Sequence, residues 1–322
     1  MKLQGEPCVY VIVLNYNGYG DTIECVRSVR QATYQNVRVV IVDNKSSDGS
    51  FERFQKYFSR DCDDAVCALS LGKTGEKLVE VNKKIVLIQA AANRGYGQGN
   101  NLGIKYALTQ KADYIVILNN DTIVDQSFIE PLVESCEQDR EIGVAGGKIL
   151  FFEEPDTIWY AGGRLSPLTA LVKHFHFRKK DVGLAIPDGT NFISGCMLFV
   201  PARTFSDVGL LNEEYFMYVE DVEFSFRILK RGLRFKVCEQ SKVWHKVGAS
   251  SGGRLSELSV YLTAKNRIKF IRENLSAVNQ VVALTYSTVY MTVWWLSKGK
   301  FGLCKWHIKG SIEALLTPMP VA

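Results

Sequence analysis

The sequence lacks the cysteine patterns that would point to a metal-stapled fold. None of its eight cysteines forms a C-x-x-C pair or lies at zinc-finger spacing from a histidine, which excludes a zinc-finger framework. Most cysteines, such as Cys196 and Cys238, lie in apolar runs and are predicted to be small core residues. Cys62 and Cys67 stand in a polar stretch and are the exception. The distribution of cysteines mainly in apolar runs predicts that the protein works in a reducing compartment.

The N-terminus has no charged region followed by a long apolar run, so the sequence predicts no signal peptide. No internal repeat or low-complexity segment is present. The net charge is +5, but most of the chain is near balance, which argues against a nucleic-acid partner. The basic excess lies in residues 296–310, which contain four lysines, His307 and no acid. Such a segment beside apolar residues is typical of contact with an anionic membrane surface, although a solvated charged face explains it equally well.

Residues 278–296 carry no charge at all. A membrane-spanning helix needs about 20 such residues, but Asn279, Gln280 and several hydroxyl side chains weaken that interpretation. We expect a helix that lies in the membrane plane or docks on the protein, with an aromatic end and the basic segment after it. The corresponding location is cytoplasmic, peripheral to the inner membrane face.

The first 121 residues alternate between apolar, β-branched runs and segments of helical spacing. Strands are predicted at 8–15, 37–42, 85–89 and 114–118, with helices beginning near Asp21, near Asp48 or Ser50, and after Asn101. Residues 59–84 are polar and are predicted to form an inserted loop rather than a core element. The pattern predicts a doubly wound α/β sheet, whose ligands bind at the carboxyl ends of the strands.

The second half is less regular. Strands are predicted at 144–152, 192–200, 235–237 and 243–245, a loop running into a helix at 216–230, and a helix at 257–274. We divide the chain into a domain at 1–275 and a helical, membrane-leaning segment at 276–322. Within the domain, 1–121 is the nucleotide-binding half and 122–275 the acceptor half.

Polar and glycine-rich motifs follow most of the predicted strands. They are Val-Leu-Asn-Tyr-Asn-Gly at 13–18, Val-Asp-Asn-Lys-Ser-Ser-Asp-Gly-Ser at 42–50, Asn-Arg-Gly-Tyr-Gly-Gln-Gly-Asn-Asn at 93–101, Leu-Asn-Asn-Asp at 118–121, Gly-Cys-Met-Leu-Phe-Val-Pro at 195–201, Tyr-Val-Glu-Asp-Val-Glu at 218–223 and Trp-His at 244–245. In order and spacing they resemble the inverting family-2 glycosyltransferases of the GT-A fold, within them the bacterial rhamnosyltransferase-like branch. The resemblance covers roughly residues 8–275 and implies a GT-A type mixed sheet.

The resemblance implies a nucleotide site at the first strand ends. Asp43 would accept the N3–H of a uracil or thymine ring; a turn or helix-capping role is the alternative. Arg94, in a glycine-rich loop, offers a bidentate fork for phosphate or base oxygens, or else a structural ion pair. Nucleotide or donor contacts are expected from these residues: Asn15, Asn17, Asp43, Arg94, Asn100, Asn119 and Asn120.

Asp121 occupies the place of the last acid of the family's D-x-D motif, which implies a Mg²⁺ or Mn²⁺ ligand. Hard cations take oxygen ligands and keep several waters, so one protein carboxylate is enough. Here Asn119 and Asn120 replace the earlier acids, a departure that weakens the expected metal site. His245 is the implied further ligand. The alternatives are an Asx-type turn for Asp121 and a core histidine for His245.

Glu220 and Asp221 are the implied catalytic pair. An inverting transfer needs one base to take the acceptor proton while the sugar carbon is attacked opposite the leaving diphosphate. The resemblance makes Asp221 the base and Glu220 its neighbour; the reverse remains open. Two acids stabilised at a helix start are the alternative, which suits Glu223 better.

The expected function is therefore metal-dependent transfer of a sugar, L-rhamnose from dTDP-rhamnose as first choice, to a saccharide or lipid-linked saccharide of a cell-surface polymer. A UDP-sugar is the alternative donor, since both bases share the edge that Asp43 would contact. A sugar nucleotidyltransferase would need a basic loop after the first strand, yet no Lys or Arg precedes Arg27 there. A membrane-associated scaffold would leave the separate acids unexplained. The sequence leaves the oligomeric state open.

Overall fold

The computed structural model describes residues 5–61, 67–70, 84–247 and 255–318. The strands are β1 (Val9–Asn15), β2 (Val37–Asp43), β3 (Cys67–Ser70), β4 (Ile85–Gln89), β5 (Tyr114–Asn119), β6 (Thr122–Val124), β7 (Ile142–Phe151), β8 (Ile158–Tyr160), β9 (Gly163–Leu165), β10 (Val172–His174), β11 (Met197–Pro201) and β12 (Arg234–His245). The helices are α1 (Tyr19–Arg30), α2 (Ser50–Asp61), α3 (Tyr96–Thr109), α4 (Glu130–Gln138), α5 (Ala202–Val208), α6 (Glu220–Lys230), α7 (Glu257–Asn274), α8 (Ala277–Thr285), α9 (Met291–Ser297) and α10 (Phe301–Leu316).

Ten strands form one mixed sheet in the order β3-β4-β2-β1-β5-β11-β7-β12-β6, with β8 added to β7. Strands β3, β4, β2, β1 and β5 are parallel, and the apolar runs of β1, β2, β4 and β5 predict this arrangement. Strand β11 then runs antiparallel to β5 and β7, and β6 antiparallel to β12. The prediction of a mixed α/β sheet is confirmed.

The register of the central strands brings their polar ends together. Asn15 lies opposite Asp43 on β2, and Leu14 lies opposite Asn119 on β5. Since parallel strands share one carboxyl edge, the motifs that are far apart in sequence converge on that edge. The four predicted strands of this half all form, each within one residue of its expected bounds.

The predicted start of α1 is wrong in its capping. The helix begins at Tyr19 with Gly18 at its N-cap position and no side-chain cap. Asp21 and Glu24 instead lie inside the first turns and accept hydrogen bonds from Lys246 Nζ, each at 2.6 Å. A charged partner from the end of β12 therefore outcompetes the local capping interaction.

The second half differs from the prediction in detail. Strand β11 is shorter than expected, because residues 192–196 form a loop before it. The two short strands predicted at 235–237 and 243–245 are one strand, β12, which passes a register shift between Cys238 and Lys242. The irregularity interrupts the hydrophobic alternation, which is why the sequence suggested two pieces. The helix at 257–274 has the predicted bounds.

The 59–84 insertion contains one described strand, β3, which pairs with β4 at the sheet edge. The expectation of a loop without a sheet element is corrected at this point: four residues add a parallel strand. Most of the remaining insertion, including Cys62, lies outside the described residues.

The uncharged stretch forms α8, a π-helical turn at Tyr286–Tyr290, and α9. Helix α10 then turns back along α7, where Arg272 donates to the carbonyl oxygen of Thr317 at 2.8 Å and Lys265 pairs with Glu313 at 2.5 Å. Among the helices that the structure describes, none combines the length and apolarity needed to cross a bilayer.

Candidate active site

A cavity of about 610 Å³ opens at the carboxyl edge of the central strands. Its walls come from both halves of the sheet and from the C-terminal helices. Of the residues that the sequence singled out, six line it: Asn119, Asn120, Asp121, Glu220, Asp221 and His245.

Asp121 and His245 are neighbours in this cavity. His245 Nε2 lies 3.2 Å from Asp121 Oδ1, and both side chains are buried. The antiparallel pairing of β12 with β6 positions them, because it places His245 opposite Thr122, the residue after Asp121. Asp121 Oδ1 is buried with His245 Nε2 as its one neighbour of opposite polarity among the described residues, and Nδ1 of His245 is buried and has no hydrogen-bond partner there. The pair therefore keeps polar atoms free for a ligand.

The electrostatic state of His245 follows from its surroundings. Burial alone lowers the pKa of an imidazole, but the neighbouring Cys196 and Asp121 side chains outweigh it and raise the pKa of His245. Burial also raises the pKa of the Cys196 thiol, so this thiol is neutral at pH 7 and adds no charge. The contact with Asp121 is therefore the one that favours the protonated ring.

Glu220 and Asp221 begin α6 and face the same cavity. Asp221 Oδ2 accepts from the backbone N–H of Gly195 at 2.9 Å, and Oδ1 accepts from that of Val222 at 2.8 Å. Gly195 makes this approach possible, since a Cβ at that position would lie 3.2 Å from the Asp221 carboxylate. Glu220 is 6% exposed, and its Oε2 has no hydrogen-bond partner in the described chain.

This asymmetry assigns different protonation states to the two acids. Burial, followed by the Asp221 charge, raises the pKa of Glu220 well above its usual range. Burial also raises the pKa of Asp221, but the backbone N–H groups of Gly195 and Val222 oppose that shift. Glu220 therefore holds a proton first, and Asp221 is the ionised partner. Glu223, by contrast, lies in the first turn of α6 and is engaged by Arg227 at 2.8 Å.

The turn before α6 is held in an unusual conformation. Tyr218 and Val219 have φ of 70° and 76°, a region that costs a non-glycine residue about 1–3 kcal/mol. Asn266 of α7 stabilises the turn by donating from Nδ2 to the carbonyl oxygens of Met217 and Tyr218, each at 2.9 Å. No local motif indicates that α7 positions the acid pair.

The glycine-rich loop supports this turn from the other side. Tyr96 N–H donates to the carbonyl oxygen of Phe216 at 2.7 Å, and the Tyr96 hydroxyl donates to that of Gly195 at 2.6 Å. Gly95 has φ of 95°, and a Cβ there would lie 1.9 Å from the Phe216 oxygen. The glycine is required by this contact between backbones, a tertiary reason that the motif alone does not reveal.

Asn15, Asn17 and Asp43 brace the loops after β1 and β2 rather than line the cavity. Asp43 is buried, and its oxygens accept from Asn15 Nδ2 at 2.9 Å and Ser46 N–H at 3.0 Å. Asn17 Oδ1 accepts from the N–H of Ser47 at 2.8 Å. These contacts fix the two loops against each other at one end of the cavity.

The remaining predicted residues lie around this end. Arg94 is exposed in the loop before α3. Asn100 is buried, donates to the carbonyl oxygen of Tyr96 at 3.1 Å, and keeps an unpartnered Oδ1. Asn120 donates to Thr22 Oγ1 at 3.0 Å, and Asn119 is partly buried. Neither Arg94 nor Asn100 lines the cavity itself.

An aromatic wall was missed by sequence reasoning. Trp159, His174 and Phe192 line the cavity, and the Trp159 ring meets His245 edge-on with centroids 5.0 Å apart. These residues come from β8, β10 and an irregular loop, where no local motif marks them. Flat apolar faces of this kind suit the ring of a sugar or a base.

The family is decided by the match to known sequences. "Glycosyl transferase family 2" matches residues 10–202, more than half of the chain, and "Glycosyl transferase family group 2" matches residues 114–308. The chain belongs to glycosyltransferase family 2. It is therefore a transferase, and the resemblance drawn from the motifs is confirmed.

Two curated relatives span most of this glycosyltransferase. A protein of Shigella flexneri named dTDP-rhamnosyl transferase RfbF is 23% identical over 319 residues, 95% of each chain. The low-salt glycan biosynthesis hexosyltransferase Agl10 of Haloferax volcanii is 23% identical over 274 residues, 82% of this chain and 84% of its own.

Solved structures confirm the GT-A fold. GalNAc-T7 with UDP, GalNAc and Mn²⁺ aligns with a TM-score of 0.61 at 15% identity, over 97% of this chain and 56% of its own. The mannosyltransferase PcManGT of Pyrobaculum calidifontis, with GDP-Man and Mn²⁺, aligns with a TM-score of 0.58 at 12% identity, over 97% of this chain and 88% of its own.

Proposed function

We propose that this glycosyltransferase is a metal-dependent, inverting enzyme in which Asp221 is the general base. The observation that carries the proposal is that one cavity contains two acidic centres of different character. Asp121 and His245 leave polar atoms free for an ion or a diphosphate, whereas the Glu220–Asp221 pair holds an ionised carboxylate beside a protonated one.

The residues present fit a divalent metal. Cis ligands of an octahedral Mg²⁺ or Mn²⁺ with bonds near 2.1 Å are about 3 Å apart, and Asp121 Oδ1 and His245 Nε2 are separated by 3.2 Å. Binding would require His245 to lose its proton. Both amides before Asp121 are neutral, so the described protein offers one anionic ligand here, and water and the donor diphosphate would complete the shell. A bound ion would supply positive charge to the leaving diphosphate.

The protein's own part in the reaction is positioning and proton removal. Asp221 takes the proton of the acceptor hydroxyl, whose oxygen forms a bond to the anomeric carbon as the bond from that carbon to the diphosphate oxygen breaks. Attack from the face opposite the diphosphate inverts the configuration. Because burial raises the pKa of Asp221, its carboxylate is a stronger base than one in water, while the Gly195 N–H keeps it oriented.

The donor we favour is dTDP-L-rhamnose, on the strength of the similarity to RfbF over nearly the whole chain. A UDP-sugar is the second candidate, because GalNAc-T7 was solved with UDP. Either pyrimidine would meet the braced loops of β1 and β2, with Asp43 as the proposed acceptor of its N3–H and Arg94 and Asn100 as further contacts. Asp43→Ala would also remove the hydrogen bond from Asn15, so its effect on binding combines the loss of the proposed base contact with the loss of this loop contact.

For the acceptor, we propose a saccharide of a cell-surface polymer, carried near the membrane. The residues between Glu273 and Glu313 contain no acid and four lysines, and this part of the chain exposes apolar side chains such as Val278, Val293 and Phe301. The combination suits peripheral binding to an anionic membrane surface. Release of the protein from vesicles by high salt would support this arrangement, and resistance to both salt and alkaline carbonate would contradict it.

The test of the function is a nucleotide-sugar panel. Calorimetry with dTDP-rhamnose, UDP-N-acetylglucosamine and GDP-mannose, with Mn²⁺ or with EDTA, should give Mn²⁺-dependent binding of a pyrimidine donor at least tenfold tighter than of GDP-mannose. Equal affinity for the purine donor would contradict the role of Asp43. Binding unaffected by EDTA would contradict the metal. With a simple saccharide acceptor, NMR of the product reports whether the anomeric configuration inverts.

A further inference from the structure

The cavity extends beyond the acids to the C-terminal helices. One face of α7 lines it through Val260, Thr263, Ala264 and Arg267, which recur at helical spacing. Trp295 of α9 and His307 of α10 complete this end of the wall. Residues that read as a separate tail in the sequence thus contribute to the same cavity as Asp221.

Arg267 is a cation without a counter-ion. No carboxylate pairs with it in the part of the chain that the structure describes. The titratable groups near it are Tyr286, whose pKa is raised by burial, and His307, whose pKa is lowered by burial, so neither is charged at pH 7. Burial lowers the pKa of Arg267 to about 10, so the guanidinium remains charged at pH 7. The side chain is partly buried, and even partial removal of a guanidinium from water without a partner anion is unfavourable. A ligand that supplies the anion would remove that cost.

Two further polar groups at this end lack partners. Trp295 Nε1 and His307 Nε2 are buried and have no hydrogen-bond partner among the described residues, and the two side chains are 6% and 3% exposed. An indole N–H can only donate. The other ring nitrogen of His307 is held by backbone carbonyls of the π-helical turn, at Ser287 and Thr288. The turn therefore orients the ring and leaves Nε2 available.

This donor set specifies the ligand. A guanidinium and an indole N–H are both donors. Burial and the Arg267 charge lower the pKa of His307, and an anion bound beside Arg267 would offset that charge and favour a ring that donates from Nε2. The adjoining cavity wall is apolar, with Val260, Met291 and Leu255. The chemistry that satisfies both is an anionic phosphoryl group attached to an apolar chain.

We propose that Arg267, Trp295 and His307 bind the phosphoryl group of a lipid-linked acceptor, with its apolar chain leaving along α9 and α10. The inference rests on the proposed function, because it makes this end of the cavity the acceptor's. The donor diphosphate is accounted for elsewhere, at Asp121 and His245, and its nucleoside at the end lined by Leu14, Tyr16 and Asn44. The same C-terminal helices expose apolar side chains and lysines, so the surface that we expect to contact the membrane lies on the same helices as the proposed acceptor site.

The test measures binding of geranylgeranyl diphosphate to the full chain by calorimetry, with geranylgeraniol and inorganic diphosphate as matched probes. Each probe is measured with and without saturating dTDP and Mn²⁺. We expect the prenyl diphosphate to bind at least tenfold tighter than either probe, with dTDP present or absent. Arg267→Gln should weaken it about ten- to hundredfold, as expected for loss of a charge-assisted contact. Arg267→Lys should restore part of the affinity, and Lys298→Gln, which removes an exposed charge outside the cavity, should change it less than threefold.

Equal binding by the wild type and Arg267→Gln would overturn the site. So would inorganic diphosphate binding as tightly as the prenyl compound, or complete displacement of the prenyl compound by dTDP, which would transfer Arg267 to the donor. Failure of the proposed function has a different signature: no pyrimidine donor binds, whatever the prenyl probe does. Thermal denaturation of each variant establishes that it is folded before binding is compared.

Discussion

Glu220→Gln should stabilise this protein by an amount that grows with pH. Glu220 is 6% exposed, and burial together with the Asp221 charge raises its pKa well above the ordinary value of 4.5. As pH rises above about 4.5, the carboxyl ionises freely in the unfolded chain but stays protonated in the fold. The wild type therefore loses stability with rising pH until the folded pKa is reached. Glutamine does not titrate and escapes this loss.

The size of the effect follows from linkage. One proton held only by the folded state changes the free energy of unfolding by at most about 1.4 kcal/mol per pH unit. For 322 residues, an unfolding entropy near 2.1 cal/mol/K per residue converts this into roughly 2 °C of melting temperature per pH unit. The variant's melting temperature, relative to the wild type's, should thus rise by up to about 4 °C between pH 5 and pH 7.

The assay is thermal denaturation by circular dichroism at pH 5, 6, 7 and 8, with the exposed Glu153→Gln as the control that should show a constant difference. In an Asp221→Asn background the pH-dependent part should shrink, since the charge that raises the pKa of Glu220 is gone. A constant difference between Glu220→Gln and the wild type across this range would refute the shared-proton account of the acid pair.

Three other substitutions test the remaining parts of the site. Asp221→Asn should lower kcat by at least ~10²–10⁴ with little change in donor KM. Because asparagine accepts through one oxygen only, one of the two backbone N–H groups loses its partner, and the free energy of unfolding should fall by about 1–3 kcal/mol. Near-normal transfer by this variant would mean that another residue is the base. Asp121→Ala should abolish Mn²⁺-dependent nucleotide binding while the circular dichroism spectrum is retained, and unchanged dTDP or UDP affinity in Mn²⁺ would exclude it as a ligand. Asn266→Ala removes two hydrogen bonds to the turn before α6, so chemical denaturation should show a loss of about 1–3 kcal/mol and kcat should fall, whereas Asn274→Ala, which bonds only within its own helix at 3.1 Å, should leave kcat unchanged.

The sequence by itself was sufficient for the parallel strands β1, β2, β4 and β5. Apolar runs such as residues 39–42 predict buried parallel strands, and the polar residues after them predict which edge binds ligands, because both signals are local. The order and spacing of the motifs were sufficient for the family. Dependence on local signals also explains the errors. Asp21 is predicted to be a helix cap, but in the structure it accepts a hydrogen bond from Lys246, more than two hundred positions away.

What only the tertiary structure decided is how these motifs work together. The difference in hydrogen bonding between Glu220 and Asp221 depends on the Gly195 N–H, which comes from a different loop. The turn that presents them depends on Asn266, and the free donors at the far end of the cavity depend on α10 folding back along α7. Burial, protonation and the presence or absence of a partner are properties of neighbours in space. A sequence orders residues along the chain, and it leaves those neighbours to be set by packing.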